Sequence, residues 1–166
     1  LVLLIGGFWF GRRSDFITKS PVLSRFANIS LTDTTTDSRL TIWQMSLRGF
    51  REHPVIGWGP ENYNLVFNKY FEPKLWRQEQ WFDRSHNIFL DWMIDAGALG
   101  LFSYLSLFVA AIYYLWRSRQ TEIIKSLFTG LLVAYLVNNI FAFDNLTSYL
   151  LFFSFLAYLH FCYFAE

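Results

Sequence analysis

His86-Asn87-Ile-Phe-Leu-Asp-Trp-Met-Ile-Asp-Ala-Gly97-Ala-Leu-Gly100, running on without a charge to Trp116, decides how this chain folds. From Ala96 to Trp116 there are 21 uncharged residues, close to the ~20 that a helix needs to cross a ~30 Å hydrocarbon core. A polar, titratable pair therefore sits at the mouth of a membrane helix. At about 100° per residue, His86, Leu90, Met93, Gly97, Gly100 and Tyr104 fall on one face. Gly97 and Gly100 carry no side chain, so the spacing predicts close packing of a neighbouring helix there.

Two more runs repeat the pattern, 18 uncharged residues from Ser126 to Phe143 and 20 from Leu146 to Ala165. Apolar residues make up 54% of the chain and charged residues 16%, against about 45–50% and 25% in soluble domains. The expected fold is all-α: a polytopic transmembrane helical bundle with a long helical extracytoplasmic loop. Residues 1–11 read as the end of a truncated transmembrane helix and 12–85 as the loop. Residues 86–166 supply three transmembrane helices, at about 88–116, 123–143 and 146–165. Leu1–Gly11 is apolar, too short to span, and lacks the flanks of a signal peptide. The chain is thus expected to be the C-terminal part of a larger protein.

Orientation follows from the short links. Arg117, Arg119 and Lys125 surround the link between the first two full spans, and short basic loops face the cytoplasm. This puts His86 on the outer side. The segment 12–85 is then extracytoplasmic despite its 11 Lys or Arg against 8 Asp or Glu, because long segments translocate regardless of charge. Anionic ligands would account for the basic excess. The net charge of +1 gives no reason to expect nucleic acid, and the lone Cys162 has no internal disulfide partner.

Within that segment, the polar run Thr32–Asp37 predicts a loop ending in a helix N-cap at Asp37 or Ser38. Leu40, Trp43, Leu47 and Phe50 then mark the apolar face of an amphipathic helix that stops before Pro54. Gly57-Trp-Gly59-Pro60 predicts a turn, and Tyr63, Val66, Phe67 and Tyr70 a second short helix closed by Pro73. Trp76, Trp81, Phe82 and Trp92 suit the aromatic belt of a bilayer interface.

Three blocks in this order resemble a known family. Arg39-Leu-Thr-Ile-Trp43, His53-Pro-Val-Ile-Gly57-Trp-Gly59-Pro60-Glu-Asn-Tyr63, and His86-Asn87 with Gly97 and Gly100 are similar to the O-antigen ligase and O-unit polymerase superfamily. The ligase signature of that superfamily is His, then Asn, Ser or Gln, nine residues, Gly, two residues and a small residue; residues 86–100 meet it at every specified position. Asp95 stands where most members carry Glu. The resemblance covers about Ser38 to Trp116. It implies a bacterial inner-membrane glycosyltransferase that moves a glycan from an undecaprenyl-diphosphate carrier to an acceptor hydroxyl, of lipid A core or another glycan, on the periplasmic side. It also implies that a periplasmic histidine is the base and that periplasmic arginines engage the diphosphate, with no nucleotide and no cofactor.

The residue chemistry points the same way with less specificity. A sugar hydroxyl must lose its proton to attack, and imidazole titrates near neutrality, which makes His86 the candidate base. The plainer reading is an interfacial histidine at a helix end. A leaving diphosphate needs cations that stay charged near lipid, and guanidinium grips phosphate with two parallel N–H bonds. Arg39, at the opening of the amphipathic helix, leads; Arg48, Arg51 and Arg84 are helpers, or else snorkel to lipid phosphates. Asn87 is a candidate substrate contact beside His86; the amides around Gly57 and Gly59 could hold phosphate or sugar oxygens, or the two glycines serve a purely structural turn. Glu61 and Asp83 are possible orienters of His86, whereas Asp91 and Asp95 read as structural carboxylates on the opposite helix face. His53, His86 and His160 have no ligand spacing, so no metal site is expected. The rivals are a repeat-unit polymerase or a protein-targeted transferase of the same superfamily, and a non-catalytic carrier-binding or export subunit.

Overall fold

The computed structural model describes residues 10–11, 14, 19–20, 34–77 and 80–164. Most of the helix expected over 1–11 and most of 12–33 lie outside them. The chain divides into two compact units, Leu1–Ser38 and Arg39–Glu166, and the description below concerns the second. Its elements are α1 (Thr34–Glu52, which begins in the first unit), α2 (Tyr63–Lys69), a single-turn tightened helix Pro73–Arg77, α3 (Ile88–Arg117), α4 (Glu122–Asn138) and α5 (Leu146–Phe164). The described residues contain helices and no strand.

α1 starts earlier than the polar run suggested. Asp37 sits inside its first turn, where a carboxylate complements the positive end of the helix dipole. Its buried face also differs from the expected one. Leu40 and Leu47 are 46% and 42% exposed, whereas Thr41, Ile42, Met45 and Ser46 are buried. Small residues decide the register: a Cβ on Gly49 would strike the side chain of Val66. Only that closeness lets α1 pack on Tyr63, Val66 and Phe67 of α2 around Ile42 and Met45. The buried polar groups are satisfied, since the Ser46 hydroxyl donates to the Ile42 carbonyl (2.8 Å) and meets the Tyr63 hydroxyl (3.0 Å). Burial holds the Tyr63 phenol well above its ordinary pKa, so it remains a neutral hydrogen-bonding group.

Phe82 joins this core against Phe67 (ring centroids 5.8 Å apart) and is buried, whereas Trp76 and Trp81 are exposed. Pro73 opens a tightened turn instead of simply closing α2.

Two helices are long and apolar enough to cross a membrane, the 30-residue α3 and the stretch Leu146–Tyr163 of α5. α4 has 17 residues, at the short limit of ~17–25 for a span. It ends at Asn138, five residues before the expected limit, and the chain turns through 139–145. α3 packs on both α4 and α5 through Tyr104, Phe108, Ala111 and Leu115, with Leu132 and Phe152 opposite. The Phe108 and Phe152 rings stack at 4.8 Å. The outer faces remain apolar, with Phe102 and Val109 each 68% exposed.

Candidate functional site

Between α4 and α5, the connector 139–145 forms a frame tied at both ends. The Asn139 carbonyl accepts the Ile88 N–H at the start of α3 (3.0 Å). At the other end, buried Asp144 accepts from the Tyr104 hydroxyl (3.2 Å), the Ser148 hydroxyl (2.9 Å) and the Tyr135 hydroxyl. Asn139 also donates from its side chain to the Tyr104 oxygen (3.0 Å). This buried polar network gives the connector one shape.

His86 meets the frame from the other side. It has φ 54°, a left-handed conformation rare for a residue with a side chain. Its neighbours hold it there. The Ser85 N–H and hydroxyl both donate to Asp91 Oδ1, at 2.8 and 2.7 Å, and Trp43 Nε1 donates to the Ser85 carbonyl at 3.1 Å. On the far side, the Asn87 side chain accepts from the Phe89 and Leu90 amides at 3.0 and 3.3 Å and caps α3. Asn87, expected to touch substrate, is buried and turned into the helix, where a side-chain cap satisfies otherwise orphaned N–H groups. The His86 ring, half-buried, lies between Phe82 (5.6 Å) and Phe143 (5.4 Å).

α3 is not continuous. Gly97 has φ 65° and ψ −160° and breaks it. The carbonyls of Ile94 and Asp95 would accept the Ala98 and Leu99 amides in an unbroken helix. Instead they accept the Trp58 and Gly59 amides at 2.6 and 3.1 Å, while Ala98 and Leu99 donate to the Pro54 and Val55 carbonyls at 2.8 and 3.3 Å. Four bonds to the strap Pro54–Gly59 replace two lost helical ones. The backbones touch so closely that a Cβ on Gly57 would lie 2.7 Å from the Gly97 amide nitrogen, and one on Gly97 would strike Val55.

The glycines serve the close packing of backbone on backbone. The Gly59 amide donates to the Asp95 carbonyl (3.1 Å) and that of Gly57 to the His53 carbonyl (3.0 Å). At Gly97 the close approach is made by the strap, not by a neighbouring helix, and a Cβ on Gly100 would meet Ala96 and Trp92 of α3 itself. The nine residues between Asn87 and Gly97 thereby acquire a meaning: they form a half-helix from cap to break.

The arginines separate into two groups. Arg39 donates from Nη1 to the Phe141 carbonyl (3.0 Å), and Trp43, one turn on, packs against the Phe141 ring (6.1 Å). The Arg84 guanidinium lies over the Phe143 ring (5.6 Å) and pairs with Glu61 at 2.8 Å. Arg39, Arg84 and His86 are thus gathered on one connector. Arg48 pairs with Glu72 (3.0 Å) and Arg51 is exposed in the last turn of α1. At 1.5 Å per residue these two lie about 13 and 18 Å beyond Arg39 along α1. Asp83 is exposed, and Glu61 reaches Arg84 instead of the imidazole.

Ser85, Phe141, Phe143 and Asp144 escaped the sequence reading as site residues, and Trp43 was read only for its helix face and family block. A serine directly before the His-Asn pair and an aspartate six residues on are a short-range turn pattern that was available. The connector's role was not, because it depends on a pairing across 102 residues. Among the described residues no group of three acidic, histidine or cysteine side chains is placed to hold a metal ion.

A family model described as O-Antigen ligase matches residues 1–105, more than half of the chain. No curated protein and no solved structure matches. The chain belongs to the O-antigen ligase family.

Proposed function

We propose that this O-antigen ligase family member transfers a glycan from a lipid-linked diphosphate to an acceptor hydroxyl at the outer face of the bacterial inner membrane. The observation that carries the reading is the convergence of His86, Arg39 and Arg84 on the connector 139–145. The acceptor hydroxyl gives its proton to the His86 imidazole as its oxygen attacks the anomeric carbon. The glycosidic bond forms while the bond from that carbon to the diphosphate oxygen breaks. Charge gathers on the departing diphosphate, where Arg39, which among the described residues gives one N–H to Phe141, stabilises it with its others. Arg84 is a second cation, held at readiness by Glu61. The undecaprenyl carrier, the lipid A core or glycan acceptor, and the periplasmic orientation belong to this reading, which is supported by the family match and the two apolar helices.

The test uses the protein purified in detergent and given a lipid-diphosphate-linked glycan together with lipid A core. Wild type is expected to build a ladder on the core. His86→Ala is expected to lower the rate by about 10²–10⁴-fold, the usual contribution of a positioned base, and Arg39→Ala to do likewise with folding unchanged. Elongation of the carrier-linked glycan without transfer to the core would make the enzyme a polymerase. Full activity in His86→Ala would refute the mechanism.

A further inference from the structure

The break at Gly97 bends α3 sharply. Trp92 stacks on Tyr104 with ring centroids 5.3 Å apart, although their spacing in the chain would separate them by about 18 Å along a straight helix. The half-helix is therefore turned back toward the rest of α3, beside a cavity of about 420 Å³ lined by Trp92, Asp95 and Tyr149. The strap sits at this elbow, bonded to α3 from Ile94 to Leu99.

The outward side of the strap is apolar. Val55 and Ile56 are 58% and 71% exposed, and no charged residue stands between His53 and Glu61. The register sets the depth of these two side chains. Strap and α3 run antiparallel: Trp58 and Gly59 bond to Ile94 and Asp95, whereas Pro54 and Val55 bond to Ala98 and Leu99. The Val55 carbonyl thus reaches Leu99, inside the charge-free run that begins at Ala96. Leu99 and Phe102 are exposed on a helix long and apolar enough to cross a membrane. The apolar outer face of α3 accordingly runs on from Phe102 and Leu99 to the tip of the strap.

Non-helical backbone at that depth has to find its hydrogen bonds within the protein. Pro54 and Pro60 have no N–H to satisfy. The Gly57, Trp58 and Gly59 amides all donate, and the Pro54 and Val55 carbonyls accept from α3. Asn62 supplies the Trp58 and Gly59 carbonyls, at 2.9 and 3.3 Å. Polar groups gather at the other end of the strap, where the Lys69 ammonium lies over the Trp58 ring (5.5 Å). An indole with a cation beside it suits the head-group level of a bilayer.

We propose that the strap is a lipid anchor: Val55 and Ile56 dip among the phospholipid acyl chains of the leaflet on the His86 side, with Trp58 and Lys69 level with the head groups. The insertion is shallow, of the ~5–10 Å that interfacial segments reach. The anchor holds the strap against the break in α3 from the lipid side. The inference requires that α3 spans the membrane and is independent of the transfer chemistry.

The experiment is fluorescence quenching on the protein in phosphatidylcholine nanodiscs, in a Cys162→Ala background, with a bimane label on Ile56→Cys. The quenchers are aqueous iodide and phosphatidylcholine carrying a nitroxide either near the head or near the end of its acyl chain. Asn68→Cys, exposed on α2, is the water reference, and Val109→Cys on the outer face of α3 is the lipid reference. The Ile56 label is expected to lose the iodide quenching seen at Asn68. It should respond more to the shallow nitroxide than to the deep one, and Val109 should show the reverse order. Val55→Cys repeats the measurement, which guards against a label that displaces the strap.

Iodide quenching at both strap positions equal to that at Asn68 would overturn the anchor and return the strap to water. Labels that neither quencher reaches would overturn it as well, and would assign the patch to a protein neighbour.

Discussion

The segment from α1 to Phe82 and the helices α3 to α5 solve opposite solvation problems with similar residues. In the first, Ile42, Met45, Val66 and Phe67 are wholly buried, with small residues on α1 making room. In the second, Phe102, Val109, Leu151 and Phe161 point outward and are at least 66% exposed, while aromatic rings stack between the helices. One region hides its apolar surface from water; the other leaves it on the outer faces of helices, two of which are long and apolar enough to cross a membrane. The site lies on the seam, where the polar frame of Asp144, Asn139 and Tyr104 meets the strapped break at Gly97.

The sharpest way to break this comparison is to truncate one apolar residue from each side. Met45→Ala is expected to cost about 2–5 kcal/mol, the usual range for a buried large-to-small change, whereas Phe102→Ala should stay within about 0.5 kcal/mol. Thermal unfolding in one detergent checks both, and equal losses would sink the distinction. On the seam itself, Gly57→Ala puts a Cβ at φ +70°, against the Ile94 carbonyl and 2.7 Å from the Ala96 and Gly97 amide nitrogens. Left-handed strain and overpacking together predict a loss of about 2–4 kcal/mol. Faster amide exchange at Ala98 and Leu99 would locate the damage at the strap.

A smaller effect is expected from Ser85→Ala. It removes one of two donors to Asp91 Oδ1 and destabilises by about 1–3 kcal/mol. Turnover should fall more than stability, because the turn that holds His86 at φ 54° loosens; Ser85→Thr should restore part of it. Should turnover follow stability alone, Ser85 has no part in positioning His86.

The smallest effect belongs to the water-facing cluster of Glu52, Lys69 and Tyr70. Glu52 is held below its ordinary pKa by hydrogen bonds from Lys69 and Tyr70, and Lys69 above its own by Glu52. A depressed carboxylate contributes stability above its unfolded pKa and loses it as pH falls through the folded value. A raised lysine contributes below its unfolded pKa and loses it as pH rises through the folded one. The cluster should therefore hold between roughly pH 5 and 10 and loosen slightly outside that window. Glu52→Gln should flatten the acid edge in a melting series, and an unchanged edge would remove the cluster from the pH response.

How legible the molecule was depended on the range of the interaction. The starts of α3 and α5 and the stop of α1 before Pro54 were readable, because charge gaps and proline act locally. The buried face of α1 was not: Leu40 and Leu47 are the larger hydrophobes, yet Gly49, Ser46 and Thr41 face the core, since helix approach there is limited by bulk. Arg39, Arg84 and His86 were legible as chemistry and not as a cluster. Phe141 and Phe143, which gather them, look like two more apolar residues at the end of a run.

The sequence by itself determined that the described part of the chain is helical and where its two long apolar helices lie. These depend on each residue's own preference for apolar surroundings and for helix. Only the tertiary structure decided that the strap at Pro54–Gly59 completes the broken helix and that a cavity opens beside the break. Those are pairings between segments some 40 residues apart, and a backbone hydrogen bond leaves no trace in the identity of the side chains on either side of it.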